Sequence, residues 1–332
     1  MIFITGASGL VGCALVMELY GQGVRSMRLL IHRNNHIKRL LLDEGINDLN
    51  IEYVQASLQD KEELLIVMQG VTHVYHCAAL ISIVPGAYEK LYAVNVQGLQ
   101  NVIEASIAVG VKKFIHISSV EAIGYQKGEK IVDESAGFRP NDTFIPYGKS
   151  KAIGSIKALE LAKSANLPLV ILAPAGIIGP YDYGQSRLGR VIWDSYNHKL
   201  PAYIDGGFDF VDSRDVAKLA IHAMHHAPAY ELYICSGTHA SLEQLIGTVT
   251  TKKPPKLPIT AAKLLALYFE IAHKLGGRDP LITSGSLRIT QSHLSYNSSK
   301  AKRKLDWQIR PLTTTIKETL AWYKKHFSSE KS

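Results

Sequence analysis

The stretch Thr5-Gly6-Ala7-Ser8-Gly9-Leu10-Val11-Gly12 decides the fold, because it lies between two apolar runs of different periodicity. Residues 1–4, Met-Ile-Phe-Ile, have the β-branched and aromatic character of a buried strand. Residues 14–20 repeat their apolar positions at helical spacing instead. The sequence therefore predicts a strand that turns through glycines directly into a helix.

The glycines of this turn have the spacing of an anion-binding site. Gly6 permits a tight turn, Gly9 lets a pyrophosphate approach the backbone, and Gly12 lets the helix and the strand pack closely. The helix N-terminus presents free N–H groups and a partial positive charge to the phosphate. An ordinary glycine loop is the alternative, but the flanking strand and helix favour a dinucleotide site.

The charge balance indicates which partners to expect. Lys and Arg number 37 against 29 Asp and Glu, which gives a net charge of +8. Because no basic run is interleaved with aromatic residues, the composition favours a soluble basic enzyme over a nucleic-acid binder. A basic balance also suits a protein that holds an anionic cofactor. The length allows one large core or two moderate ones.

Three scattered cysteines, Cys13, Cys77 and Cys235, form no Cys-x-x-Cys pair. Neither a disulfide framework nor a zinc site is therefore expected, and a reducing compartment is favoured. The sequence shows no basic, apolar leader at its start and no apolar run of membrane length. We expect a cytoplasmic protein without a membrane span.

The second predicted strand, residues 27–31, bears on the choice of cofactor. At the tip of this strand an acidic residue would bind the ribose 2′-hydroxyl of NAD, whereas an arginine accommodates the 2′-phosphate of NADP. Arg33 stands there, and Lys38 and Arg39 follow without a competing acid. We therefore predict NADP, with NAD as the alternative cofactor and a solvated basic turn as the alternative interpretation.

Further strands are predicted at residues 51–54, 73–76, 113–117 and 169–172, and each is followed by small or polar residues. Asp60 has the position of a helix cap after the third strand. His76 ends the fourth strand without an acid beside it in the sequence, so a structural role is favoured over a catalytic one. Strand and helix alternation predicts an α/β fold, a doubly wound parallel sheet of the Rossmann type with a smaller C-terminal substrate lobe.

Tyr147 and Lys151 are four residues apart at the start of a predicted helix, so they share one face. A tyrosine titrates near pH 10 when unperturbed. A nearby lysine cation and an oxidised nicotinamide ring stabilise the phenolate and lower that pKa. We therefore expect a phenol that exchanges protons at neutral pH. By itself, this spacing is common on surface helices.

The glycine spacing, the Ser118-Ser119 pair at a strand end and the Tyr147-x-x-x-Lys151 motif together resemble an extended short-chain dehydrogenase/reductase. The chain is most similar to the dihydroflavonol 4-reductase and 3β-hydroxysteroid dehydrogenase branch of this NAD(P)-dependent epimerase/dehydratase superfamily, from Met1 to about Tyr323. The resemblance implies that Ser119 polarises the substrate carbonyl, Tyr147 transfers the proton, and Lys151 binds the nicotinamide ribose and tunes Tyr147. Ser119 is preferred to Ser118, since the family serine lies five residues before the glycine matched by Gly124.

The same resemblance implies a set of cofactor contacts. Ser57 stands where relatives usually have an Asp that bonds the adenine amino group, which weakens that contact. Asn95 is expected to support the central sheet and the surroundings of the lysine. The expected cofactor-binding residues are Gly6, Ser8, Gly9, Leu10, Val11, Gly12, Arg33, Ser57, Leu58, Ala78, Ala79, Asn95, Ser118, Tyr147, Lys151, Pro174 and Ile177.

The segment after the sixth strand bears on the substrate. Ala173-Pro174 replaces the Arg-Pro of many relatives, and residues 173–180 lack the asparagine with which nucleotide-sugar epimerases often hold their substrate. This favours a reductase of an aldehyde, ketone or alicyclic carbonyl, or the reverse alcohol oxidation. A nucleotide-sugar epimerase or dehydratase stays open, because Arg187, Arg190 and Arg214 could hold a pyrophosphate. A non-catalytic NADP-sensing regulator is a third hypothesis.

The lobes are predicted to divide between residues 1–178 and 208–238, for the dinucleotide, and residues 179–207 and 239–325, for the substrate. His222, His225 and His226 have metal-like spacing, but no further ligand cluster supports a metal site. Residues 259–275 predict an amphipathic helix that covers the substrate cleft or a subunit contact, with a membrane-surface role as the alternative. A small-molecule substrate and no nucleic acid are the expected partners, and the resemblance is compatible with a homodimer.

Overall fold

The computed structural model describes residues 1–31, 36–84, 86–125, 128–277, 279–280 and 282–327. The strands are β1 (Ile2–Thr5), β2 (Ser26–Leu30), β3 (Asn50–Val54), β4 (His73–His76), β5 (Lys113–Ile117), β6 (Ile131–Val132), β7 (Leu169–Pro174), β8 (Gly176–Ile178), β9 (Tyr203–Ile204), β10 (Gly207–Asp212), β11 (Leu232–Cys235), β12 (Thr238–Ser241), β13 (Lys256–Leu257) and β14 (Ser295–Tyr296). The α-helices are α1 (Leu10–Gly21), α2 (His36–Asp43), α3 (Lys61–Val67), α4 (Tyr88–Tyr92), α5 (Leu99–Ala108), α6 (Pro146–Ser164), α7 (Arg187–Tyr196), α8 (Ser213–His226), α9 (Leu242–Val249), α10 (Ile259–Lys274), α11 (Ser284–Gln291), α12 (Ser299–Lys304) and α13 (Leu312–Phe327). A π-helix covers Ala93–Gly98, and 3₁₀ turns cover Val120–Ala122 and Glu134–Ala136.

The main sheet confirms the predicted doubly wound fold. Within the described ranges, seven strands pair in the order β11-β7-β5-β4-β1-β2-β3. Every neighbouring pair is parallel. The strand order reverses beside β1, which pairs β2 on one side and β4 on the other. The carboxyl ends of all seven strands therefore meet along one edge, where ligands of open α/β sheets bind.

Alternate residues of the strands enter two different cores, because the sheet is covered on both faces. Phe3 belongs to the cluster with Leu99 and Ala158 of α5 and α6. Its neighbour Ile4 belongs to the opposite cluster with Leu15 of α1, which packs along α8. Both β1 side chains are fully buried. This double cover explains why the strands are almost continuously apolar in the sequence.

Smaller sheets lie beside the main one. Strand β10 pairs β8 and β12 rather than joining the main sheet, and it leads into α8. Asp212 caps α8 by accepting a hydrogen bond from the Arg214 backbone N–H. Strand β11 returns to the edge of the main sheet against β7. The predicted helix at residues 259–275 is confirmed as α10, and Asp60 caps α3 as expected.

Candidate active site

The glycine turn between β1 and α1 has little spare room. Gly6 has a φ of +68°, and a Cβ there would lie 2.6 Å from the Ala78 backbone nitrogen. A Cβ on Gly12 would lie 2.2 Å from the Gly6 carbonyl oxygen. A Cβ on Gly9 would meet, in the described part of the chain, only that same oxygen at 3.3 Å. A side chain therefore has no room at Gly6 or Gly12, whereas Gly9 is exposed and has space beside it.

This turn fits a dinucleotide phosphate. Among the described residues, no side chain caps α1 at Gly9, and the first turn of the helix contains no acid. The Ser8 hydroxyl oxygen is buried there and has no hydrogen-bond partner within the described ranges. Uncapped helix N–H groups and an orphaned hydroxyl are the donors that a phosphate requires. Leu10 and Val11 form the first turn of that helix.

The residues that follow β2 bear only in part on the choice between NADP and NAD. Arg33 lies outside the described residues. On α2, the Lys38 ammonium lies 4.4 Å from the centroid of the Tyr53 ring. Arg39 pairs with Asp43 at 3.7 Å and is largely exposed. Neither contact separates the two cofactors.

The other predicted cofactor residues follow the strands along the same edge. The Ser57 hydroxyl accepts a hydrogen bond from Gln59, and the Ala78 backbone N–H donates to Thr5 at the end of β1. Half-buried Leu58 packs against Gly98, and Ala79 is exposed. Pro174 ends β7, and Ile177 lies in β8 opposite Val211. The structure thus places Ser57, Leu58, Ala78, Ala79 and Pro174 at or just after the carboxyl ends of three strands of the main sheet, whereas Ile177 lies within β8 of a neighbouring sheet.

Asn95 connects two parts of the candidate site. Its side-chain oxygen accepts from the Leu80 N–H at 2.8 Å, and its amide donates to the Leu80 carbonyl at 2.9 Å and to the Ser150 hydroxyl at 2.9 Å. Asn95 therefore joins the segment after β4 to α6. It lies in the π-helix, an irregularity that is frequent at functional sites.

The two serines that follow β5 have different environments. The Ser118 hydroxyl is hydrogen-bonded to the Ser155 hydroxyl of α6 at 2.8 Å and is buried. The Ser119 hydroxyl accepts from the Glu121 backbone N–H at 3.2 Å, and hydrogen bonding between Ser119 and Tyr147 lowers the pKa of the Tyr147 phenol. Ser119 is therefore the serine that the structure brings to Tyr147.

Burial dominates the environment of the Tyr147 phenol. Burial raises the pKa of the Tyr147 phenol above its usual value, the hydrogen bond from Ser119 opposes this, and the Glu121 carboxylate raises it further. Desolvation disfavours the charged phenolate. The phenol therefore stays protonated at neutral pH. The predicted lowering requires Lys151 together with a bound oxidised nicotinamide, and it stays a prediction.

Lys151 lies one helical turn beyond Tyr147 and is almost completely buried, with 2% of its surface exposed. Its ammonium donates a hydrogen bond to the Ile117 carbonyl at the end of β5, at 2.7 Å. Burial lowers the pKa of Lys151 to about 7, an effect that Cys77 partly offsets. A lysine that titrates near neutrality is unusual outside functional sites.

Glu121 is a candidate site residue that the sequence analysis missed. Burial raises the pKa of its carboxyl to about 7, and its charge raises the pKa of both Tyr147 and Tyr296. It lines a small cleft whose other residues are both apolar and polar: Gly124, Tyr125, Asp142, Thr143, Phe144, Ile289, Ser292, Leu294 and Tyr296. The signal in the sequence was an acid two residues beyond Ser119, beside the predicted site.

The arginines that could hold a pyrophosphate differ in their surroundings. Arg214 pairs with Asp212 at 2.6 Å and with Glu318 at 2.6 Å, so it is not free to hold a pyrophosphate. Arg187 and Arg190 are exposed on α7.

His76 is hydrogen-bonded to Thr5, and its burial lowers its pKa to about 3, in keeping with a structural role. Across the described residues, no group of three or more His, Cys, Asp or Glu side chains could hold a metal ion.

Comparisons with known proteins show what the chain is similar to. A sequence model of the NAD dependent epimerase/dehydratase family matches residues 2–235. The sterol demethylase protein B of Methylococcus capsulatus is 27% identical over 329 residues, which cover 97% of this chain and 98% of that protein. A putative dihydroflavonol 4-reductase of Synechocystis sp. is 27% identical over 343 residues, covering 98% of this chain and 94% of the relative. The crystal structure of gox2253 superposes with a TM-score of 0.83 at 29% identity, with 98% of each chain covered.

The fold and the site define an NAD(P)-dependent enzyme of the extended short-chain dehydrogenase/reductase type. The chain belongs to the NAD dependent epimerase/dehydratase family, since more than half of its length matches the family model. Its curated relatives include reductases and dehydrogenases. None of the helices that the structure describes is long and apolar enough to cross a membrane.

Proposed function

We propose that the chain is an NADP-dependent oxidoreductase that transfers a hydride between nicotinamide and a carbonyl or alcohol substrate. The observation that carries the proposal is the convergence of Ser119, Tyr147 and Lys151 at the carboxyl edge of the sheet. Residues 173–180, which lack the asparagine with which nucleotide-sugar epimerases often hold their substrate, support an aldehyde, ketone or alicyclic substrate. When bound, the nicotinamide supplies or accepts the hydride.

The side chains have separate tasks in this proposal. The Ser119 hydroxyl donates a hydrogen bond to the substrate oxygen and so polarises the carbonyl. The Tyr147 phenol, which burial keeps protonated, gives its proton to that oxygen during reduction. The Lys151 ammonium binds the nicotinamide ribose and stabilises the phenolate that remains. The glycine turn, with Ser8 and the start of α1, binds the pyrophosphate.

Tyr147→Phe tests the catalytic assignment. The variant keeps the ring but loses the transferable proton, so kcat should fall by at least about a hundredfold, while the Kd for NADPH changes little. NADPH oxidation with a panel of carbonyl substrates and fluorescence titration of NADPH measure the two quantities. Tyr20→Phe, at the far end of α1, is the matched control. A Tyr147→Phe variant with undiminished kcat would remove the phenol from the mechanism.

Arg33→Ala tests the choice of cofactor. Because only NADP carries the 2′-phosphate, the loss of this guanidinium should raise the Kd for NADPH by at least about tenfold and leave the Kd for NADH nearly unchanged. The control is Arg25→Ala, which removes an exposed arginine just before the amino end of β2, paired there with Asp48. Titration of each variant with both cofactors gives the ratio of the Kd for NADPH to the Kd for NADH. Equal losses for NADPH and NADH would contradict the phosphate assignment and favour NAD.

A nucleotide-sugar epimerase or dehydratase is the second candidate, since the family description includes both reactions. Conversion of a UDP- or dTDP-sugar without net consumption of NADPH would favour it. Binding of NADPH without turnover on either substrate panel would favour a regulator. The lobe boundaries at 178/179, 207/208 and 238/239, the cofactor-binding residues and a homodimer remain predictions.

A further inference from the structure

Helix α10 has an apolar stripe on its outer face. Leu264, Leu267, Tyr268, Ile271 and Leu275, just beyond its end, follow the spacing i, i+3, i+4, i+7 and i+11, so they lie on one side of the helix. Their exposed fractions are 70%, 51%, 64%, 50% and 83%. With Leu265, they make up six of the eleven large apolar side chains that are exposed among the described residues. The other five are scattered over several elements.

The opposite face of α10 packs against the rest of the chain. Ala262 and Ala266 are fully buried and pack with Leu287 of α11. The partly buried side chains of Leu257, Ile259 and Ile282 pack against this cluster. The outer stripe is therefore not the face that holds α10 in the fold. An exposed apolar patch of this kind is typical of a binding surface.

Two lysines, Lys263 and Lys274, border the stripe, and both are exposed. The exposed Asp279 carboxylate beyond the helix end lies 3.6 Å from the His273 ring. The only acid in α10 is Glu270, and its carboxylate accepts hydrogen bonds from the Ser284 N–H at 2.6 Å and the Ser284 hydroxyl at 3.3 Å, at the start of α11. The acid is thus turned toward the protein, and the cations are left beside the apolar stripe. Apolar residues with flanking lysines are the pattern of helices that lie in an anionic membrane interface.

A second copy of the chain fits this surface less well. A symmetric pair of antiparallel α10 helices would bring Lys263 of one copy toward Lys274 of the other, which is a contact between like charges. The stripe is also one helix wide, whereas a stable protein interface involves about 20–30 residues on each side. A lipid surface requires neither symmetry nor a wide patch, and anionic headgroups complement the lysines.

We infer that the outer face of α10 docks the protein onto an anionic membrane surface. The apolar stripe enters the interface between headgroups and acyl chains, and Lys263 and Lys274 contact the headgroups. The chain is bound to the surface and does not cross it. The docked helix packs on α11, and Ile289 of α11 lines the cleft beside Glu121, so the cleft lies one helix away from the membrane.

Vesicle sedimentation tests the inference with the full chain. The wild-type protein should bind vesicles of phosphatidylcholine and phosphatidylglycerol, and bind pure phosphatidylcholine at least about tenfold more weakly. The triple variant Leu264→Ser, Leu267→Ser and Ile271→Ser should bind the mixed vesicles at least about tenfold more weakly than wild type. NADPH binding by the same variant reports whether it is folded.

The control variant, Leu42→Ser with Ile66→Ser, removes two apolar side chains that are 79% and 73% exposed on α2 and α3. It should bind the mixed vesicles as wild type does. Lys263→Gln with Lys274→Gln should lower binding to the mixed vesicles and leave binding to phosphatidylcholine unchanged. Unchanged binding by the triple variant would overturn the inference, as would a wild-type protein that binds no vesicles. A wild-type dimer that the triple variant converts to a monomer, without vesicle binding, would assign the stripe to a second copy instead.

Discussion

The carboxyl edge of the main sheet and the outer face of α10 differ in what surrounds each side chain. At the sheet edge, backbone segments pack directly against each other. Gly6 lies against Ala78, and Gly12 lies so close to the Gly6 carbonyl that a methyl group has no room. On α10, five large apolar side chains meet nothing but solvent over at least half of their surface. At the sheet edge, packing within the fold limits which residue types are tolerated. On the outer face of α10, only the binding partner of the helix limits them.

This difference separates two kinds of experimental effect. Substitutions at the sheet edge change the stability of the folded state, because neighbouring backbone atoms cannot move away. Substitutions on the outer face of α10 change stability little, because these side chains are already at least half exposed in the folded chain. A membrane assay, rather than an unfolding assay, reports on the second region.

The largest effect is expected for Gly12→Ala. The new Cβ would lie 2.2 Å from the Gly6 oxygen and 2.7 Å from the Ala7 Cα, so the turn must open, and we expect a loss of about 3 kcal/mol or more. Gly21→Ala at the end of the same helix is the control, because no atom of the described chain lies within 4 Å of the added Cβ. That control should gain about 0.5–1 kcal/mol from helix propensity. Urea unfolding of both variants measures the difference, and similar stabilities would contradict the close packing of the turn.

The same contrast explains how much the sequence predicted. The glycine triad and the Tyr147–Lys151 spacing are visible because backbone geometry and helix periodicity require particular residues at fixed positions. The parallel sheet, the cap at Asp60 and the helix at residues 259–275 followed from periodicity and are confirmed.

Other features depend on contacts between residues distant in the sequence. Desolvation raises the pKa of Tyr147, and Arg214 is held by Glu318, 104 positions later in the chain, so neither could be seen from local spacing. Glu121 was missed because its position beside Tyr296 depends on a strand, β14, that lies far along the chain. Periodicity predicted α10 but could not say which of its two apolar faces is turned to the protein.

A smaller effect is expected at His116, in the centre of the sheet. Burial lowers its pKa well below the usual value, with further lowering by Lys151 and His76, and neither ring nitrogen has a hydrogen-bond partner among the described residues. A lowered pKa means that the histidine contributes stability above pH 6.5, which is lost as the pH falls and the unfolded chain takes up the proton. Between pH 7.5 and 5.0 this amounts to at most about 2 kcal/mol, the full linkage of a histidine that stays neutral in the folded chain.

His116→Gln removes this proton linkage. The difference in unfolding free energy between pH 7.5 and 5.0, from urea titrations, should therefore shrink by up to about 2 kcal/mol relative to wild type. His225→Gln replaces an exposed histidine on α8 and should leave the pH dependence close to that of wild type. If both variants keep the wild-type difference, His116 is charged or hydrogen-bonded in the folded protein, and the buried region is wetter than the structure indicates.

The smallest effect is expected for Leu264→Ala, on the outer face of α10. Because this side chain is 70% exposed, its truncation should change the free energy of unfolding by less than about 0.5 kcal/mol. Leu287→Ala, on the other side of the α10–α11 contact and only 2% exposed, should cost about 2–3 kcal/mol. Thermal and urea unfolding of the two variants compare a leucine that faces outward with one that faces the core. A cost at Leu264 close to that at Leu287 would mean that the outer stripe is already covered in solution, by a second copy, and the free energy of unfolding would then depend on protein concentration.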